Sequence, residues 1–527
     1  MVVSRAVVLS AGLLLGVMIG ATGPARAQSD LAYDRAWLVA GGNLGDTHGS
    51  AFNGPIRPGN AGSLATKWSF TTTGDVSATP TVENGAVYVP DWGGMLYRLD
   101  AATGTLVWSH KLSDYTGNTR SLSRSSPAVT PHSIIVGDEA SGTVIAVDKT
   151  SGALLWRTVV DPLPAALITA SPAVMGDLVF VGVSSVEEGL AQSRTGYVPS
   201  FRGTIAALSV ETGAPVWTFR TVPAGYTGGA VWSSTFAIDL NRGSLYATTG
   251  NNYTVPAAVT ACLQNAATAE AQSACLAPGD YIDAVVALDL LTGHVKWGRR
   301  FIGFDTYVNS CIVSPAKGIP CPDPAGPDYD FGAGANLFTT MIGGKPVDMI
   351  GAGQKSGVYW ALDPETGATR WATQVGPGGR AGGIMWGTAA DGLRVYAAIN
   401  DSGQVSYDLA STGTAWTAGS WAALDAATGK ILWQIPATGH NPLAPTEDAG
   451  ALGALTVLSG VVYAGSMSGD MVAIDAAAGK ILWQFASGGS VICGPSVALG
   501  VVYWGSGYQR FGTANNKLYA FTLPAAP

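Results

Sequence analysis

Charge is scarce in this chain. Only 12% of its 527 residues are Asp, Glu, Lys or Arg, and the formal balance is −8, against an average charged share of about 25%. A weakly charged, acidic surface excludes nucleic acid as a partner. Histidine is as sparse. The five present are widely separated in sequence, which leaves no histidine-metal signature for a hydrolase or lyase. The five cysteines form no Cys-x-x-Cys-His and no Cys-x-x-Cys, so the chain carries neither a covalent c-type haem motif nor a cysteine-based metal motif.

Apolar runs long enough to span a bilayer are missing throughout. Near the N-terminus, Arg5 precedes the apolar stretch Val7 to Gly20, and Ala25-Arg26-Ala27 is a small-x-small cleavage site. These features mark residues 1–27 as a secretory signal peptide cleaved after Ala27. They predict a periplasmic or secreted mature chain with no transmembrane segment. No cysteine follows the apolar stretch closely, which argues against a lipid-anchored form. In an oxidising compartment, Cys262 with Cys275 and Cys311 with Cys321 predict two local disulfides, leaving Cys493 over.

Glycine abounds, at 70 residues, and tryptophan recurs in one context: Trp68, Trp108, Trp156, Trp217, Trp297, Trp371, Trp433 and Trp483. Leu99-Asp100-Ala101-Ala102-Thr103-Gly104 leads to Trp108, and Leu288-Asp289, Leu362-Asp363, Leu424-Asp425 and Ile474-Asp475 lead to later copies. Each repeat opens with a small-Pro or small-Thr turn and reads as four short alternating strands, the pattern of a propeller blade. The last repeat ends at its third strand, Leu518-Tyr519-Ala520-Phe521, whereas Ala65 to Phe70 is a tryptophan strand with no blade of its own. The two orphans complete each other and remove an exposed edge. The fold predicted over 28–527 is therefore all-β, a single eight-bladed β-propeller closed by an N-terminal strand. Blade topology places the two long insertions, about 252–280 and 302–334, over one mouth of the ring, where a site is expected.

The repeat phrase resembles the tryptophan-docking motif of quinoprotein alcohol dehydrogenases, which use pyrroloquinoline quinone (PQQ). Non-catalytic propellers such as the outer-membrane scaffold BamB share it, so the loops must discriminate. Val181-Gly182-Val183-Ser184-Ser185-Val186-Glu187-Glu188-Gly189 looks like the family's calcium-binding glutamate loop, with Glu187 in register as ligand and Glu188 beside it. Thr249-Gly250-Asn251-Asn252 resembles the Gly-Asn ligand step, with Asn251 as ligand. Pro327-Asp328-Tyr329-Asp330-Phe331-Gly332 is similar to the catalytic-aspartate segment. One register makes Asp330 both base and metal ligand, with Gly332 favouring calcium; the other makes Asp328 the base and favours a lanthanide.

The same resemblance makes Lys355, in Gln354-Lys355-Ser356-Gly357, the cation that touches both quinone and aspartate. It makes Trp232 the stacking ring and Arg124, or else Arg120, the partner of a cofactor carboxylate. Thr169, Ser184 and Asn400 fall at matching polar positions. The adjacent-cysteine lid of many relatives is absent, and Pro90-Asp91-Trp92-Gly93-Gly94 with the Arg120 to Ser126 region looks most like polyvinyl alcohol dehydrogenases. The resemblance implies a PQQ- and Ca2+-dependent alcohol oxidation with a soluble cytochrome c as electron acceptor. A BamB-like scaffold is the alternative.

Overall fold

The computed structural model describes residues 36–50, 54–232, 235–311 and 321–525; the predicted signal peptide lies outside them. Within these residues the strands assemble into eight blades of sequential antiparallel strands, spanning 81–111, 128–161, 173–220, 237–300, 336–374, 389–436, 456–486 and 496–522. The first strands of neighbouring blades touch around the central axis. Second and third strands are buried on both faces, as in Val461–Gly465, while fourth strands such as Leu154–Asp161 alternate between exposed and buried positions. The orphan strands pair as predicted: Ala65–Thr71 runs antiparallel to Lys517–Thr522, with Ser69 opposite Tyr519, and becomes the outer strand of the last blade.

The repeat phrase has a mechanical reading. Asp100 Oδ1 accepts hydrogen bonds from Ala102 N–H, Thr103 N–H and the Thr103 hydroxyl, which closes the turn. Gly104 then takes φ +74°, and a Cβ there would lie 2.5 Å from the Trp68 ring of the preceding blade. Only glycine meets both demands. Trp68 Nε1 donates to Ala101 O at 3.1 Å, so each turn receives the ring of the blade before it. The same indole-to-carbonyl bond recurs at Trp156, Trp217, Trp297, Trp371, Trp433 and Trp483.

One element has no counterpart in the repeat pattern. Residues 36–50 cross the underside of the ring and feed their carbonyls to the innermost strands of six blades: Val82, Val129, Ile238, Leu337, Ala390 and Val457 donate to Trp37, Leu38, Leu44, Gly45, Thr47 and His48. Inner-strand amides that a propeller leaves unpaired are thus satisfied, and the axial channel is plugged at that end. Above the plug, a chamber of about 50 Å³ is lined by hydroxyls including Ser126 and Ser171, with His48 below and Arg124 above.

The insertions gather on the opposite mouth. One lies between the second and third strands of the fourth blade and carries two short helices, Ala257–Leu263 and Ala269–Cys275, joined by the Cys262–Cys275 disulfide. The other leads into the fifth blade and holds the Cys311–Cys321 disulfide. Asn252 N–H donates to Asp305 O and Tyr307 N–H donates to Asn252 O, stitching the two together. Cys493 is a buried free thiol. Among the described residues, no helix is long and apolar enough to cross a membrane.

Candidate active site

The mouth opens into a cavity of about 450 Å³, within the size range of ligand and cofactor sites. Asp330 and Lys355 line its floor, and Asn251 lies buried behind Asp330. Asp330 Oδ1 accepts the Asn251 backbone N–H at 2.8 Å, and Oδ2 accepts Trp232 Nε1–H at 2.7 Å and Lys355 Nζ at 3.2 Å. Lys355 Nζ also donates to Asp328 Oδ1 at 2.7 Å and lies 5.1 Å from the centre of the Trp232 ring. Burial alone would pull the Lys355 ammonium down. Asp328, Asp330 and Glu188 more than offset it, and the side chain stays charged. No backbone approach to this aspartate is possible with a larger residue at position 250, because a Cβ on Gly250 would lie 2.9 Å from the Asp330 carboxyl carbon.

The glutamate pair sorts differently from the favoured register. Glu187 and Glu188 open a helix, Glu187–Ser193, rather than a loop. Its first residue turns inward to the protein. Glu187 receives hydrogen bonds from the Tyr197 hydroxyl, the Ser200 N–H and hydroxyl, and the Phe201 N–H. Its carboxylate is fully engaged in holding the 197–201 segment. Glu188 instead lines the cavity, and burial followed by repulsion from Asp328 and Asp330 pushes its carboxyl far up. The helical twist of one residue, about 100°, separates the two carboxylates.

Arg124 lines the same cavity with its guanidinium 4.5 Å above the Trp386 ring. Its side chain is 7% exposed and Glu139 is its nearest carboxylate, 3.6 Å away. Nε faces Glu139 Oε2 in that ion pair, and neither Nε nor Nη1 makes a hydrogen bond. Arg120 is exposed. Thr169 and Ser184 line the wall, and the Thr169 hydroxyl bonds Trp232 O. Asn400 is not at the wall. Its N–H and Nδ2 bond Gly383 O and Ala381 O, so it holds the 379–383 loop that carries Arg380 to the cavity. Asn251 Nδ2 donates to Asn252 O and Tyr307 O, both at 2.9 Å, which fixes the direction of its Oδ1. Among the described residues, no three His, Cys, Asp or Glu side chains form a ready-made metal cage, so a cation here would need ligands from a cofactor as well.

Sequence reasoning missed Asp280, Asp283 and Asp305, all fully buried behind this floor. Neither carboxylate oxygen of Asp283 has a hydrogen-bond partner. Burial, then repulsion from Asp305, Asp330 and Asp328, pushes its carboxyl far up. Burial also raises Asp280 and Asp305 to about 7 and Asp328 to about 8. No motif or spacing in the sequence singled these three out from the Asp289, Lys296, Arg299 and Arg300 that share their stretch. Because these folded-state values lie above the unfolded value of about 4, the folded chain holds more protons than the unfolded one. The contribution of these acids to the stability of the cofactor- and metal-free protein is then full below about pH 4 and is lost as pH rises through about 7 to 8. Urea unfolding should show lower stability at pH 8 than at pH 5, and a flat profile would contradict the buried-acid picture.

A propeller with inward tryptophan docking and this mouth is a quinoprotein-type dehydrogenase scaffold. A family profile described as outer membrane protein assembly factor BamB matches residues 60–197 and 417–522. It covers the repeats of Trp68, Trp108, Trp156, Trp433 and Trp483 and leaves out the span that holds Trp217, Trp297 and Trp371 together with Asn251, Asp330 and Lys355. The chain is 30% identical over 504 residues to the polyvinylalcohol dehydrogenase of Sphingopyxis sp. (strain 113P3), covering 87% of this chain and 72% of that one. It is 29% identical over 512 residues to the polyvinylalcohol dehydrogenase of Pseudomonas sp, with 87% and 73% covered. The solved quinohemoprotein alcohol dehydrogenase of Comamonas testosteroni superposes with a TM-score of 0.69 at 20% identity, over 95% of this chain and 84% of that chain. The chain belongs to the quinoprotein (PQQ-dependent) alcohol dehydrogenase family, the family of the polyvinyl alcohol dehydrogenases.

Proposed function

We propose that this enzyme oxidises secondary alcohol groups, including those of polyvinyl alcohol, to carbonyls, with PQQ and a calcium ion held in the mouth cavity. The observation that carries the reading is the convergence of Lys355, Trp232 and the Asn251 N–H on the Asp330 carboxyl. The residues fit the cofactor. The Arg124 guanidinium, whose Nη1 has no hydrogen-bond partner, suits a carboxylate of a tricarboxylic quinone, Trp232 offers an aromatic face, and Thr169 and Ser184 supply hydroxyls at the edge. Glu188, Asn251 Oδ1 and Asp330 are the oxygen donors suited to a hard cation, and Gly332, where a further aspartate would favour a lanthanide, leaves calcium preferred. Glu188 replaces Glu187 in that set.

Held by these residues, the quinone and its cation would supply the electrophilic hydride acceptor that oxidation of the carbinol carbon needs. Asp330 takes the hydroxyl proton as general base. Trp232 Nε1–H and the Asn251 N–H hold its two oxygens in fixed directions. Lys355, 3.2 Å from Asp330 Oδ2, balances negative charge that builds up beside it. Asn400 acts through the 379–383 loop. The electrons leave to a separate soluble cytochrome c, and the setting is the periplasm.

Dye-linked turnover of the purified mature protein, supplied with PQQ and calcium, tests this on polyvinyl alcohol and on butan-2-ol. Turnover on both is the expected result. Turnover on butan-2-ol alone would remove the polymer, and no turnover with no bound-quinone absorbance would leave a BamB-like scaffold in front.

A further inference from the structure

A second depression adjoins the catalytic cavity. It encloses about 260 Å³ and is bounded by both disulfide-stapled insertions and the 197–199 segment. Tyr253 lines both hollows, and the helix Glu187–Ser193 forms the ridge between them, with Leu190 facing the cavity and Ala191 the groove. The surface is largely apolar: Leu263 and Val308 are buried at its base, and Val198 stands 76% exposed at its rim. Isolated hydroxyls interrupt it at Thr254, Thr260 and Thr306. Thr306 is 3% exposed, and its Oγ1 has no hydrogen-bond partner. A buried hydroxyl left open in an apolar groove costs stability unless something reaches it. Among the described residues, Asp323 is the one carboxylate on the lining.

We propose that this groove is a substrate subsite for an aliphatic polyol chain, holding hydroxyl-bearing carbons next to the unit being oxidised. The inference rests on the polymer reading above and deepens it. An all-carbon chain with a hydroxyl on every second carbon has the same mixed character as the groove: hydrocarbon to bury against Leu263, Val308 and Val198, and hydroxyls to meet Thr306. Among the described residues, anionic peptides and polymers find no cationic partner on the lining. A chain seated here passes over the ridge at Leu190 into the cavity, so one unit sits near Asp330 while its neighbours stay anchored. A small alcohol fills only the cavity and ignores the groove.

The groove therefore separates polymer from small alcohol, and Val198→Asp is the informative change because an exposed rim residue tolerates it. KM for polyvinyl alcohol should rise by about tenfold, the low end of what apolar pockets discriminate, while kcat and KM for butan-2-ol stay unchanged. A second readout needs no cofactor. Titration calorimetry of the cofactor-free protein with a polyvinyl alcohol oligomer should detect binding that both Val198→Asp and the isosteric Thr306→Val weaken. Equal KM shifts for both alcohols, or polymer binding untouched by both variants, would overturn the subsite. Loss of turnover on every alcohol with oligomer binding intact would instead sink the oxidation reading and leave the groove standing.

Discussion

Asp330→Asn is expected to lower kcat by about 10²–10⁴, the contribution of a positioned general base, with folding and quinone binding retained. The reason lies in the donors that surround it. Asn251 N–H can still reach the amide oxygen, but an amide nitrogen at the other position would face Trp232 Nε1–H and the Lys355 ammonium, both donors. Lys355 keeps its 2.7 Å bond to Asp328, so the floor is loosened rather than collapsed. Asp328→Asn makes the control. It removes the shorter ion pair but leaves the Asp330 contacts with Asn251 and Trp232, and its effect should be about tenfold or less, the scale of one tenfold per 1.4 kcal/mol of altered charge balance. A reversed order of the two variants would make Asp328 the base. Indifference to both, measured as dye-linked turnover beside an unchanged circular dichroism spectrum, would point to a scaffold.

The ring was legible in the sequence because its signals are periodic and local. Asp100, Thr103 and Gly104 build a turn whose geometry is set within five residues, and the chain repeats it. The closure of the last blade followed from counting Ala65 to Phe70 against Leu518 to Phe521. The plug at 36–50 was not legible, because its partners Val82, Val129, Ile238, Leu337, Ala390 and Val457 are reached through backbone bonds that carry no side-chain pattern. The same holds for the acids behind the site. Asp283 and Asp305 are brought near Asp330 by the packing of two insertions, and no spacing rule announces that. Motif register placed Asp330, Lys355, Trp232 and Arg124 around one cavity, yet it left Asn400 one layer too close.

The glutamates give the sharpest remaining contrast, since neighbours in sequence should fail in opposite ways. Glu188→Gln removes a carboxylate that faces Asp328, Asp330 and Lys355 in the cavity. Calcium-dependent quinone binding should weaken by about 10–100-fold, the range for loss of a group that supports a metal, while the cofactor-free protein keeps its stability or gains some, because a buried, repelled acid is gone. Glu187→Gln removes the acceptor of Ser200 N–H, Phe201 N–H and two hydroxyls. An amide can accept at one end only, so at least one buried donor is stranded, at about 1–3 kcal/mol. That variant should unfold earlier in urea and, once folded, bind quinone and calcium nearly as the parent does. Quinone absorbance titrated at several calcium concentrations, set beside urea midpoints, separates the two. If Glu187→Gln lost calcium dependence at unchanged stability, the cation would belong to the first glutamate and the helical register of Glu187–Ser193 would have to turn to deliver it. The four donors that now hold Glu187 make that turn costly, which is why the second glutamate is assigned to the cation.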